Sequence, residues 1–161
     1  MIKKETESYP EYNKIRIDLQ NKTKTLSGTV EKYWFKNESI GLKKTLFHKI
    51  NIPLKSFNSG ISYEPQPVET SLVIEWLNLN LEKPDKLNGV NVMSDKYSSF
   101  DASVYIGNTH NPFDIKKLAF EKIDDNTYKI VGELMIDFEH EMVAKNEDFS
   151  FQTIVEFKMT E

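Results

Sequence analysis

The stretch that decides the fold runs Leu118-Ala119-Phe120-Glu121-Lys122-Ile123-Asp124-Asp125-Asn126-Thr127-Tyr128-Lys129-Ile130-Val131-Gly132-Glu133-Leu134-Met135-Ile136-Asp137-Phe138. Tyr128, Ile130, Gly132, Leu134, Ile136 and Phe138 occupy every second position. Successive side chains of a strand point to opposite faces, so this stripe reads as a strand with one buried and one wet face. Strands of that kind belong to antiparallel sheets, because parallel strands are apolar on both faces. Asp124-Asp125-Asn126-Thr127 tolerates tight or left-handed backbone. A hairpin joining roughly 116–123 to 127–138 is therefore predicted.

The same alternation recurs outward from this hairpin. It appears at Ile15, Ile17 and Leu19, at Leu46, His48, Ile50 and Ile52, and at Phe100, Ala102, Val104 and Ile106. A last stripe holds Phe149, Phe151, Thr153, Val155 and Phe157. Thr25 to Phe35 reads as a strand with Leu26, Val30 and Trp34 on one side. Two segments change phase by one residue, as a β-bulge would make them. Leu72, Ile74 and Trp76 give way to Leu77, Leu79 and Leu81, and Leu118 and Phe120 give way to Ile123. Pro53, Gly60, Pro65 and Pro67 mark 53–68 as a long loop, and Pro84 and Gly89 mark 82–98 as another. Helical spacing is absent, and no repeat or linker divides the chain, so 1–161 reads as a single β domain. The fold class expected is all-β. The bulges and unequal connections favour an antiparallel β-sandwich of about eight or nine strands, with a closed, lipocalin-like β-barrel as the alternative.

Composition narrows the chemistry. The 161 residues are 39% hydrophobic and 12% aromatic, which suits a packed core rather than a disordered chain. Cysteine is absent, which removes disulfide scaffolds, zinc fingers, Fe–S clusters and cysteine nucleophiles. The formal charge is −4, and Arg16 is the sole arginine among 21 basic residues. Arginine supplies forked contacts to phosphate and guanine, so no nucleic-acid partner is expected. Abundant Lys, Asn and Ile suit an A/T-rich, bacterial genome. Met1-Ile2-Lys3-Lys4 is followed by no apolar run, and no stretch reaches the roughly 20 apolar residues that span a bilayer. The expectation is a cytoplasmic protein with no membrane partner.

Charge is unevenly spread. Residues 1–60 hold 12 basic and 6 acidic groups, whereas 61–161 hold 9 and 19. Glu133, Asp137, Glu139, Glu141, Glu147 and Asp148 face only Lys145 in their segment. If the strand from Thr127 continues, Asp137, Glu139 and Glu141 share one side, opposite Ile136, Phe138 and His140. Such a row blunts a sheet edge, docks a basic partner, or, less often, holds Ca²⁺ or supplies paired catalytic carboxylates.

Catalytic signatures are missing: no glycine-rich phosphate loop, no G-x-S-x-G and no H-E-x-x-H. Asn21-Lys22-Thr23 and Asn37-Glu38-Ser39 match the glycosylation pattern by chance. His48 lies on an apolar strand face and reads as a hydrogen-bonded core histidine. His110 lies in the polar turn Gly107-Asn108-Thr109-His110-Asn111-Pro112, and His140 stands apart from both. Among the aromatic residues Tyr33-Trp34-Phe35, Trp76 and Tyr105, about half should be core, and an exposed Tyr105 beside His110 would make an interface anchor.

No catalytic residue, metal or cofactor is assigned. The function expected is a non-catalytic protein-binding domain, in its most concrete form an intracellular bacterial immunity or antitoxin-type protein. Its partner-binding residues would be Glu133, Asp137, Glu139, Glu141, Tyr105 and His110, and its partner basic. The alternatives are a carrier of a small hydrophobic ligand in a β-barrel, and a metal-dependent hydrolase using Asp137, Glu139 or His110.

Overall fold

The structure is a computed structural model and describes residues 11–97 and 99–158; the opening residues read above for a leader lie outside that range. Its strands are β1 (Gly28–Asn37), β2 (Leu42–Pro53), β3 (Ser71–Leu77), β4 (Asp101–Ile106), β5 (Thr109–Asp124), β6 (Thr127–Ile136) and β7 (Glu147–Lys158). Each pairs antiparallel with the next, and β7 closes on β1. An odd number of strands in a simple meander leaves the first and last running the same way. The closing seam is accordingly parallel, with Gly28 opposite Val155 and Val30 opposite Phe157.

The chain is thus all-β, and it takes the closed barrel rather than the two-sheet sandwich. Alternation specifies which side of a sheet is apolar and is silent on whether the sheet closes. Curvature comes from the bulges, which bend a strand and increase its twist. Ile74 to Leu77 takes three steps on β3 against two from Ile50 to His48 on β2. Two more register shifts lie on β5, at Ile115/Lys117 and Lys122/Asp124. The hairpin of β5 and β6 turns at Asp125-Asn126 as expected, with the Asp124 carboxylate accepting the Asn126 N–H at 3.0 Å. Ile123 stays exposed at its bulge instead of rejoining the apolar face.

Among the described residues the strands number seven, not eight or nine, partly because Ile15 to Leu19 is no strand. It runs from a 3-10 turn, Tyr12–Lys14, through Asp18 at φ 64°, into the helical turn α1, Leu19–Lys22. Ile17 and Leu19 are fully buried and plug one end of the barrel. The Glu147 carboxylate accepts the N–H groups of Asp18 and Leu19, at 3.0 and 2.6 Å, and ties the plug to β7. The opposite end carries the β1–β2 tip, the β3–β4 loop and the β5–β6 turn.

Above Pro112, β4 no longer pairs with β5. The edge that β5 would leave bare is taken by 88–94 of the β3–β4 loop. Gly89 N–H donates to Phe120 O, Val92 N–H to Leu118 O and Ser94 N–H to Ile115 O, each at 2.9 Å. Asn91 Oδ1 accepts the Leu118 N–H at 3.0 Å. An irregular segment so does the work of a strand and covers backbone that would otherwise invite pairing. Inside, Phe113, Leu118, Phe120, Tyr128, Ile130 and Phe149 are among the buried side chains that fill the lumen.

Candidate functional site

The carboxylates singled out in the sequence do not form a ladder on one strand face. β6 ends at Ile136: the Asp137 N–H still donates to Pro112 O in ladder register, but proline has no N–H to return, and the chain then turns. The Asp137 carboxylate accepts the His140 N–H at 3.1 Å. Glu139 and Asn146 exchange bonds: Asn146 Oδ1 accepts the Glu139 N–H at 2.9 Å, and Glu139 Oε2 accepts the Asn146 N–H at 3.0 Å. Asp, Glu and Asn side chains satisfying nearby backbone are what shape such turns. Phe138 is buried as expected, but His140 is exposed, 4.0 Å from Glu141.

Glu133 remains on the outer wall of β6, opposite Lys117 and Ser150. Lys116 pairs with Asp148 at 3.1 Å and offsets that member of the acidic run, while Lys129 pairs with Glu121, outside the run, at 3.2 Å. Glu139 and Glu141 stay exposed on the turn.

The β4–β5 turn and the 137–146 turn emerge at the same end of the barrel. Tyr105 faces outward, 50% exposed, and pairs in register with His110. The two rings meet edge-on, their centroids 5.4 Å apart, and His110 Nε2 lies 3.3 Å from the Asp101 carboxylate. Met142 projects from the neighbouring turn with φ 55° and is 67% exposed. A bulky residue held at positive φ is uncommon. Tyr105, His110, Asp137, Glu139 and Glu141 thus share one end of the barrel, with Glu133 farther along its wall. Met142 was not singled out in the sequence, because nothing in its neighbours announces a turn there once 137–141 is taken for strand. Among the described residues, no three His, Asp or Glu side chains are grouped to hold a metal ion. No helix is long and apolar enough to cross a membrane.

His48 lies at the other end, buried in the barrel mouth. Its Nε2 is 2.9 Å from Pro84 O, which can only accept, so Nε2 carries the proton and donates. Nδ1 is buried without a hydrogen-bond partner among the described residues. Burial holds the imidazole below its usual pKa, opposed by the Pro84 bond, with Lys32 lowering it and Asp85 raising it further out. The native state therefore binds fewer protons at His48 than the unfolded chain, whose imidazole titrates near 6.5. Stability from this group is complete above that value and falls as the pH drops through and below it. Urea midpoints at pH 7.5 and 5.5 should show a smaller acid loss in His48→Gln than in the parent. An equal loss in both would contradict the assignment.

Comparison with known protein families, with curated proteins and with solved structures finds no match to this chain.

Proposed function

We propose that the chain is a non-catalytic protein-binding domain that docks a basic partner on its acidic end, as an intracellular bacterial immunity or antitoxin-type protein does. The observation that supports this is the pairing of two outward apolar side chains, Tyr105 and Met142, with exposed Glu139 and Glu141 and with the His110–Asp101 pair at one end of the barrel. Interfaces draw most of their affinity from a few aromatic or flexible apolar anchors, while surrounding charge sets partner choice and encounter rate. The end has no need of a reactive group to act this way.

The test is affinity capture from the native host, followed by titration of the captured protein. Glu133→Lys with Glu141→Lys is the informative pair, since Asp137 and Glu139 hold their own turn together. The double variant and Tyr105→Ala should each weaken binding about ten-fold or more, and added salt should weaken the parent. A partner indifferent to both changes, or no specific partner at all, overturns the proposal.

A further inference from the structure

The bulge on β3 has an effect outside the barrel. It gives the inward position opposite His48 to Leu77 and turns Trp76 to the outer wall, at φ 59°. There the Trp76 ring meets Phe35, Phe47 and Tyr33 edge-on, with centroids 4.8, 5.6 and 5.8 Å away. The Trp76 N–H donates to the Tyr33 hydroxyl at 3.3 Å. These four rings stand apart from the barrel core and form a second apolar cluster on its outside. Ile40 and Leu42 of the β1–β2 tip and Tyr97 of the β3–β4 loop enclose the space in front of them, a groove of about 700 Å³. Ile40, 73% exposed, forms its open lip.

The polar rim of this groove is biased toward donors. Asn37 Oδ1 accepts the Ser39 N–H at 3.2 Å, and Asn78 Oδ1 accepts the Asn80 N–H at 3.1 Å. With both oxygens engaged on backbone, each amide presents its NH₂ group. Thr45 spends its hydroxyl proton on Lys43 O at 2.8 Å. Among the described residues, Lys96 is the one charged side chain lining the groove, no carboxylate lines it, and Lys96 makes no ion pair. A concave aromatic site of a few hundred cubic ångströms with a small number of fixed polar groups is the ordinary form of a small-molecule site.

We propose that the groove binds a small amphipathic carboxylate, its flat or branched apolar body against Trp76 and Phe47 and its anionic group at the donors of Lys96, Asn37 and Asn78. A charge-assisted bond to the ammonium selects the anion over its neutral isostere. This site lies at the opposite end from the acidic turn and stands independently of the partner proposed above.

The probes are 2-naphthoate and its neutral amide, 2-naphthamide, titrated into the full chain at pH 7.5 by calorimetry and by amide and indole NMR shifts. Naphthoate should bind about ten-fold more tightly than the amide and shift the Trp76 indole and Tyr97 signals. Lys96→Met, at an exposed position, should keep the fold and the amide affinity while reducing the preference for the anion to within about two-fold. Equal binding of both probes, a preference that survives Lys96→Met, shifts confined to other parts of the chain, or no binding by either probe overturns the proposal.

Discussion

Gly28→Ala is expected to cost about 3 kcal/mol, and Gly28→Val to keep the barrel from closing. Gly28 begins β1 at the seam where β7, β1 and β2 meet, opposite Val155. A Cβ there would press into the Asn51 carbonyl oxygen and come within 3.0 Å of the Ile52 Cα. Both obstacles are backbone of the adjacent strand, which cannot rotate away as a side chain can. The constraint is one of space, since the backbone at Gly28 is not left-handed. Gly41 supplies the contrast: its φ is 72° and nothing lies within 4 Å of its added Cβ. Gly41→Ala should therefore cost only the backbone term, about 1 kcal/mol. Urea denaturation of the three variants checks the order. A Gly28→Ala midpoint equal to the parent's would mean that β1 and β2 are not so closely apposed.

Tyr128→Ala is expected to lose about 4 kcal/mol, as a large aromatic side chain removed from a closed core does. Tyr128→Phe isolates a second effect. The Tyr128 hydroxyl accepts the Leu87 N–H and donates to Asp85 O, both at 3.2 Å, and so fastens the β3–β4 loop to the barrel interior. Loss of that hydroxyl leaves a buried N–H unsatisfied, at a cost of about 1–2 kcal/mol. The more telling measurement is hydrogen exchange. The Gly89, Val92 and Ser94 amides follow directly in the chain and bond to β5, so they should exchange faster in Tyr128→Phe, while β6 and β7 amides change no more than global stability requires. Uniform acceleration would show that the hydroxyl does not anchor this loop.

Much of this architecture was readable from residue order. The stripe from Tyr128 to Ile136, the turn at Asp124 to Thr127 and both one-residue phase changes correspond to β6, its hairpin and two bulges. Closure was not readable, because a sandwich and a barrel place the same residues inside. Ile15, Ile17 and Leu19 carry a strand's alternation, but an extended plug ending in a helical turn buries Ile17 and Leu19 equally well. The acidic row was misplaced for a related reason. Alternation through Phe138 looks continuous, while Pro112, which has no N–H to return to Asp137, and the Glu139–Asn146 exchange end the strand. The outer groove was hidden by one residue of register. Reading Trp76 with Leu72 and Ile74 puts its ring in the core, and the bulge puts it on the wall. A single inserted residue in a strand reverses the side of everything beyond it.

The parallel seam also bears on how the chain reaches this form. Six of the seven ladders link strands consecutive in the chain, the longest connection among them being the β3–β4 loop over 78–100. The seventh joins Gly28 to Val155, and the entropy of bringing such distant segments together must be met before its contacts reward it. The meander can assemble by successive zipping, but the cylinder exists only once this most separated pair has met. Until then β1 and β7 are both open rims, the stage at which one molecule's unfinished wall can join another's.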